Sequence, residues 1–161
     1  MNSGRALERL KEGCKDKRTA AAEGQWPFAA VLGCSDSRVP PELLFGCGPG
    51  DLFVVRTGGN IADAVAVGSL EFAAKHLGAK LILVLGHTHC GAVNAKAAGE
   101  KLGSYMDAVM DAVLPDVEAN VRNTVGVLQK SPVLAALERD GVLQIHGAVY
   151  DLETGTVDFL S

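Results

Sequence analysis

A chain of 161 residues, 48% of them hydrophobic and 21% charged, can bury one real core and is neither a disordered nor a fibrous composition. Its net charge of -4 argues against nucleic acid or an anionic membrane as a partner. No apolar run reaches the roughly 18 residues of a membrane-spanning helix.

The N-terminus, "MNSGRALERLKEGCKDKR", alternates charges where a secretory leader would be apolar, so an intracellular setting is expected. The four cysteines, at 14, 34, 47 and 90, are accordingly expected to be reduced. Residues 5–13 carry Leu7 and Leu10 at helical spacing, and 1–24 reads as an N-terminal helical arm on a single domain spanning 1–161. "FAAVLG" (28–33) is too short and apolar for anything but a strand buried on both faces. "PPELLF" (40–45) predicts one helical turn entered through prolines, and "DLFVVR" (51–56) a second strand. A helix is expected over 61–78, with Asn60 as its cap and Gly78 closing it. "KLILVLG" predicts a third strand, followed by a helical region from 91 to 140 broken at Pro115 and Pro132. Two last strands, 142–152 and 155–160, lie close enough in sequence to form a hairpin. The alternation predicts an α/β fold: a mainly parallel central sheet of four to five strands, flanked by helices, with an antiparallel edge strand.

In such sheets ligands gather at the carboxyl ends of the strands. Two polar loops fall there: Gly33-Cys34-Ser35-Asp36-Ser37-Arg38 after the first strand, and Gly86-His87-Thr88-His89-Cys90-Gly91 after the third. Cys34, with a His-x-x-Cys pair from the other loop, supplies two thiolates and an imidazole. That is the donor set of a zinc site that keeps its fourth position open, and the two soft sulfurs disfavour magnesium or manganese. His87 is the expected imidazole ligand, because the apolar strand runs straight into it, whereas His89 should diverge from Cys90. Arg38, two residues from Asp36, would keep that carboxylate ionised beside the metal. Asp36 could accept a hydrogen bond from zinc-bound hydroxide, or could swing onto zinc as a fourth ligand; either suits a carboxylate. "RTGGN" (56–60) lacks the spacing of a dinucleotide loop, and its glycines suit a tight turn.

Taken together, "CSDSR", "PGDLFVVRTGGN", "GSLEFAAKHLG" and "GHTHCGAV" resemble the beta-class carbonic anhydrases almost continuously from Gln25 to Val93, and "GAVYDLETGTVDFL" is similar to that family's ending. The resemblance implies reversible hydration of carbon dioxide to bicarbonate and a proton, at one Zn2+ per chain held by Cys34, His87 and Cys90. It implies Asp36 and Arg38 as the catalytic dyad. It implies a homodimer or higher even oligomer, with active-site clefts at the interface that borrow residues from the second chain. Gln25, Phe53 and the Gly91 amide fall on substrate-binding positions of one subgroup. Phe72 stands where that subgroup has tyrosine, so any role of its hydroxyl is absent here. His76 matches a proposed proton shuttle, and as a histidine near a helix C-terminus it also suits the helix dipole. Val31 replaces a tryptophan tied to bicarbonate inhibition in another subgroup, so that regulation is not expected. The compartment implied is the cytoplasm or another intracellular one, such as a plastid or carboxysome.

Three rivals compete with this reading. A related zinc hydrolase would attack carbonyl sulfide or carbon disulfide. A structural zinc protein would need a fourth protein ligand and would leave Asp36 and Arg38 idle. A dithiol redox domain is disfavoured because no C-x-x-C occurs.

Overall fold

The five apolar runs assemble into one sheet in the order β2-β1-β3-β4-β5: β1 (Ala29–Cys34), β2 (Leu52–Thr57), β3 (Leu81–His87), β4 (Gln144–Tyr150) and β5 (Val157–Leu160). This computed structural model describes residues 2–13 and 22–160. The first three pairings are parallel and only β4–β5 is antiparallel, as the hairpin spacing requires. β1 and β3 are buried along their whole length, which is why they read as unbroken apolar runs, while β2 is half-buried at the edge.

Side chains alternate across the sheet and feed two layers. On one face Ala30, Leu32, Ile82, Val84 and Ile145 pack with α3 (Ala64–Lys75), α6 (Val117–Leu128) and α7 (Pro132–Arg139) through Leu70, Ala73, Val121, Leu128 and Leu134. On the other, Ala29, Val31, Leu81, Leu83 and Leu85 pack with Ala6 and Leu10 of α1 (Ser3–Glu12) and with Phe28 and Phe45. α6 sits unusually close to the sheet. A Cβ on Gly86 would lie 2.5 Å from Val121 Cγ2, and one on Gly147 would lie 2.7 Å from Val121 Cγ1. Two strand glycines therefore set the helix–sheet distance.

α1 is fastened to the sheet. Arg9 Nη2 donates to the buried Asp51 carboxylate at 2.9 Å, and its guanidinium lies 4.4 Å from the Phe28 ring centroid. The other Asp51 oxygen accepts the Gly48 N–H at 2.9 Å. Residues 14–21 of the expected arm, Cys14 among them, lie outside the described residues. Cys47 is disulfide-bonded, which corrects the expectation of four reduced cysteines.

Two helix boundaries differ from the expected ones. The helix after "RTGGN" starts at Ala64, capped by Asp63, whose carboxylate accepts the Ala66 N–H at 2.7 Å. Asn60 instead ends a 3-10 turn (Gly58–Asn60) in the left-handed region, with φ of 48°. Asp63 wins because its acceptor lies three residues before a free N–H, the N-cap geometry. Gly78, with φ of 75°, lets the chain leave α3. The stretch 91–140 breaks at a third place, between α4 (Gly91–Ala97) and α5 (Met106–Ala112), where Gly99, Gly103 and Ser104 all take positive φ. Pro115 precedes the Asp116 cap of α6, and Pro132 opens α7 behind the Ser131 cap. Among the described residues no helix is long and apolar enough to cross a membrane.

Candidate active site

Because β1 and β3 are parallel neighbours, their last residues, Cys34 and His87, arrive side by side at the carboxyl edge. His89, with φ of 56°, then turns the chain back so that Cys90 can open α4. The three side chains are buried, and one ligand atom from each lies within 4.8 Å of the others. Cys34 Sγ and Cys90 Sγ are 3.9 Å apart, far beyond a disulfide bond. Two sulfurs bound at 2.3 Å to one tetrahedral zinc would be separated by ~3.8 Å. The imidazole is oriented as well: His87 Nδ1 donates to the Thr88 carbonyl at 2.9 Å, which leaves Nε2 with its lone pair. That Nε2 is fully buried with no hydrogen-bond partner among the described residues. A buried acceptor facing two sulfurs, with nothing to bond, is what a metal ligand looks like before the metal is counted.

The thiols titrate as a pair. Cys34 is lowered to about 4, chiefly because the Cys90 thiol hydrogen-bonds to it, against the opposing effect of its own burial. Cys90 is pushed up by the same shared bond and by burial, though the Val93 and Ala92 amides at the start of α4 oppose this. One proton leaves readily and the second is held. A soft dication would replace that second proton, so donor chemistry and geometry fit zinc together.

Beside the trio lies the carboxylate. Arg38 gives Asp36 three donors: its backbone N–H to Oδ1 at 2.9 Å, Nε to Oδ1 at 2.9 Å, and Nη2 to Oδ2 at 2.7 Å. This fork holds the Asp36 carboxyl well below the usual carboxylate range, with charge attraction to His87 and Arg38 contributing less. Asp36 Oδ2 lies 3.9 Å from His87 Nε2. Arg38 is half-exposed but also reaches the His89 carbonyl at 3.2 Å, tying the two loops together. The His89 ring is not among the metal-ligand group; its Nε2 pairs with Glu153 Oε1 at 3.0 Å, on the β4–β5 turn.

Two residues that the sequence did not single out support this site. Arg56, at the end of β2, donates from Nε to the Cys34 carbonyl at 2.8 Å and from Nη2 to the Asp36 carbonyl, bracing the loop from beneath. Thr88 accepts the Leu152 N–H on Oγ1 at 3.0 Å, joining the histidine loop to the β4–β5 hairpin. The signal for Arg56 is the strand register, which pairs it with Gly33.

The remaining expected site residues lie elsewhere. Gly91 is exposed at the start of α4, next to Cys90. Phe53 pairs with Ala30, four residues before the level of Cys34, or ~13 Å toward the amino edge at strand rise. Gln25 is exposed and precedes β1. α3 returns from the carboxyl to the amino edge, which carries Phe72 and His76 away with it; their rings stack at 5.1 Å. Within one chain, then, Gln25, Phe53, Phe72 and His76 stand at the opposite end of the sheet from the metal-ligand trio.

Fold and site together define a class: a mainly parallel α/β domain whose strand ends present a Cys-His-Cys metal-ligand set with an arginine-held carboxylate beside it. Residues 29–119 match the family described as Carbonic anhydrase. Carbonic anhydrase 2 of Mycobacterium tuberculosis is 39% identical over 160 residues, covering 87% of this chain and 77% of that one. The carbonic anhydrase of Mycolicibacterium smegmatis is 37% identical over 166 residues, covering 91% and 81%. A solved tetrameric beta-carbonic anhydrase from Sordaria macrospora aligns with a TM-score of 0.78 at 29% identity, covering 87% of this chain and 83% of that one. The chain belongs to the carbonic anhydrase family, in its beta class, and is a carbonic anhydrase enzyme.

Proposed function

We propose that this enzyme interconverts carbon dioxide with bicarbonate and a proton at one zinc ion per chain, held by Cys34, His87 and Cys90, with Asp36 and Arg38 as its catalytic dyad. The observation that carries the proposal is the buried, unpartnered His87 Nε2 facing two thiols, with an ionised carboxylate 3.9 Å away. Zinc, when bound, supplies a Lewis acid that makes hydroxide available near neutral pH. The chain does the rest. Asp36 Oδ2 offers a charged acceptor toward the reacting centre, so that a hydroxyl hydrogen points at it and a lone pair points away, toward carbon. Arg38 keeps that acceptor ionised and fixed in direction. Both Asp36 oxygens are already engaged by Arg38, so the carboxylate would serve as an oriented acceptor rather than join Cys34, His87 and Cys90 in holding the zinc. The Gly91 amide, next to Cys90, would meet the substrate oxygen.

The opposite ends of the sheet support a homodimer or higher even oligomer. Gln25, Phe53 and Phe72 are too far from their own trio to line it, and β2 is an edge strand beside exposed Val65 and Phe72. A second copy placed along β2 would bring these residues over its partner's metal site, with His76 at the rim as the shuttle candidate. The solved Sordaria relative is described as tetrameric, which fits such a repeat. An intracellular compartment completes the reading.

Stopped-flow hydration on metal-quantified protein tests it, with carbonyl sulfide and carbon disulfide assayed in parallel. Hydration that tracks zinc content supports it. Hydrolysis of the sulfur substrates without carbon dioxide hydration would replace it with the related hydrolase.

A further inference from the structure

The β4–β5 turn stands beside the histidine loop and has no part in the chemistry proposed so far. Its backbone is bonded mostly to itself. The Asp151 N–H donates to the Thr156 carbonyl at 2.9 Å, and the Gly155 N–H to the Asp151 carbonyl at 2.8 Å. Asp151 Oδ1 accepts the N–H groups of Glu153 and Thr154 at 2.7 and 3.1 Å, and Thr154 Oγ1 accepts that of Thr156 at 3.4 Å. Among the described residues 151–156, the Leu152 N–H alone reaches out of the turn, to Thr88 Oγ1 at 3.0 Å. The Leu152 side chain follows it and packs on the apolar cluster that holds Cys34 and Cys90. Thr88 is itself half-buried and bound on three sides. Its N–H donates to the Tyr150 carbonyl at 2.9 Å, which carries the β3–β4 ladder one step past His87. Its hydroxyl oxygen takes the Leu152 N–H, and its carbonyl accepts the His87 Nδ1–H at 2.9 Å. The chain then reverses at His89. The ladder bond anchors Thr88 at one point; the hydroxyl bond gives a second, so the residue cannot pivot about the first.

We infer that Thr88 is a positioning residue for the His87 ring: by accepting the Leu152 amide, its hydroxyl locks the β4–β5 turn to the histidine loop and fixes the carbonyl that orients the imidazole. The inference rests on His87 being a metal ligand. A ligating histidine whose other nitrogen donates to a fixed carbonyl keeps one tautomer and one ring direction, and outer partners of this kind tune metal affinity. The C-terminal hairpin is thereby part of the metal site, although Thr88 and Leu152 lie 64 positions apart.

The test compares the parent with Thr88→Val, Thr88→Ser, Thr88→Ala and Leu128→Ala. Thr88→Val keeps the shape and removes the oxygen, whereas Thr88→Ser keeps the oxygen and removes the methyl. Thr88→Ala serves if the valine variant does not fold. Leu128→Ala weakens the core under α6 without touching the loop. Three quantities are read: zinc affinity against a chromophoric chelator, the visible ligand-field bands of the cobalt(II) form, and the melting of the metal-stripped protein. Thr88→Val and Thr88→Ala should bind zinc roughly 10- to 100-fold more weakly and shift the cobalt bands. Thr88→Ser should keep parental affinity and bands. Leu128→Ala should lower the melting temperature with affinity and bands unchanged. Parental affinity and bands in the valine and alanine variants would overturn the inference. So would an equal loss in Thr88→Ser, which would credit the methyl, or in Leu128→Ala, which would make affinity a readout of overall stability. If the parent itself takes up neither metal, the metal-site reading fails first and takes this inference with it.

Discussion

The two edges of the sheet are built differently. At the carboxyl edge the groups around the trio are held from within the chain: Asp36 by Arg38, the Cys34 loop by Arg56, the His87 ring by Thr88. At the amino edge Gln25 is exposed and Phe72 is 49% exposed, stacked on His76. One edge is finished by the chain itself. The other offers aromatic and amide groups that its own site cannot reach. Residues that the resemblance assigns to one pocket thus stand at two ends of this chain, and on the proposed reading the split marks where a second copy would sit.

The largest effect comes from breaking the finished edge. Cys34→Ser or Cys90→Ser should reduce zinc from about one per chain to little or none, because one hard hydroxyl replaces a thiolate in a three-ligand site. Metal analysis by emission spectrometry reads this directly, and full zinc in both variants would remove them from the ligand set. Next is Asp36→Asn, which keeps shape but not charge: turnover should fall roughly 100- to 1,000-fold with zinc retained. Arg38→Ala should fall at least as far, since it also frees the carboxylate to move.

The same residue gives a pH test. Asp36 titrates in the folded protein below its ordinary value of 3.8, so the unfolded state binds the proton more readily. Its contribution to stability is therefore present above that value and is lost as the pH falls through the folded pKa. The melting-temperature gap between parent and Asp36→Asn should stay constant from about pH 8 to 5 and close below about pH 4. A gap that widens on acidification would mean that Arg38 does not favour the ionised form.

The unfinished edge is probed by mixing chains. Gln25→Ala should cost only about tenfold, the scale of one or two substrate hydrogen bonds. Co-refolding it with the metal-free Cys34→Ser chain should produce mixed dimers with one restored site: the zinc of the first chain served by Gln25 of the second. Activity no greater than the summed parts would place Gln25 outside its partner's site. The smallest effect on catalysis is expected from Arg9→Ala, which leaves the buried Asp51 with only Gly48. It should lower stability by about 3 kcal/mol in denaturant titration while zinc and turnover stay at parental levels.

What could be read without coordinates follows the same division. Cys34 and His87 were legible because an apolar run points straight at each, and Asp36 and Arg38 because a two-residue spacing brings their charges together. Arg56 was not, because its role depends on register with Gly33. The placement of Gln25, Phe53 and Phe72 was legible only in outline: the resemblance implies clefts that borrow residues from a second chain but does not say which residues are lent. The Asn60 cap and the unbroken start of the helical region failed locally, where Asp63 and three positive-φ residues near 100 decided the backbone.

The most direct test of the finished edge is to strip the protein of metal and titrate zinc back while following carbon dioxide hydration. Activity should be absent at the start, rise linearly and break at about one zinc per chain, and Cys34→Ser should stay flat throughout. Hydration by the stripped protein, or a parent that binds one zinc per chain at Cys34, His87 and Cys90 and remains inactive, would contradict the proposal that this trio is the seat of the reaction.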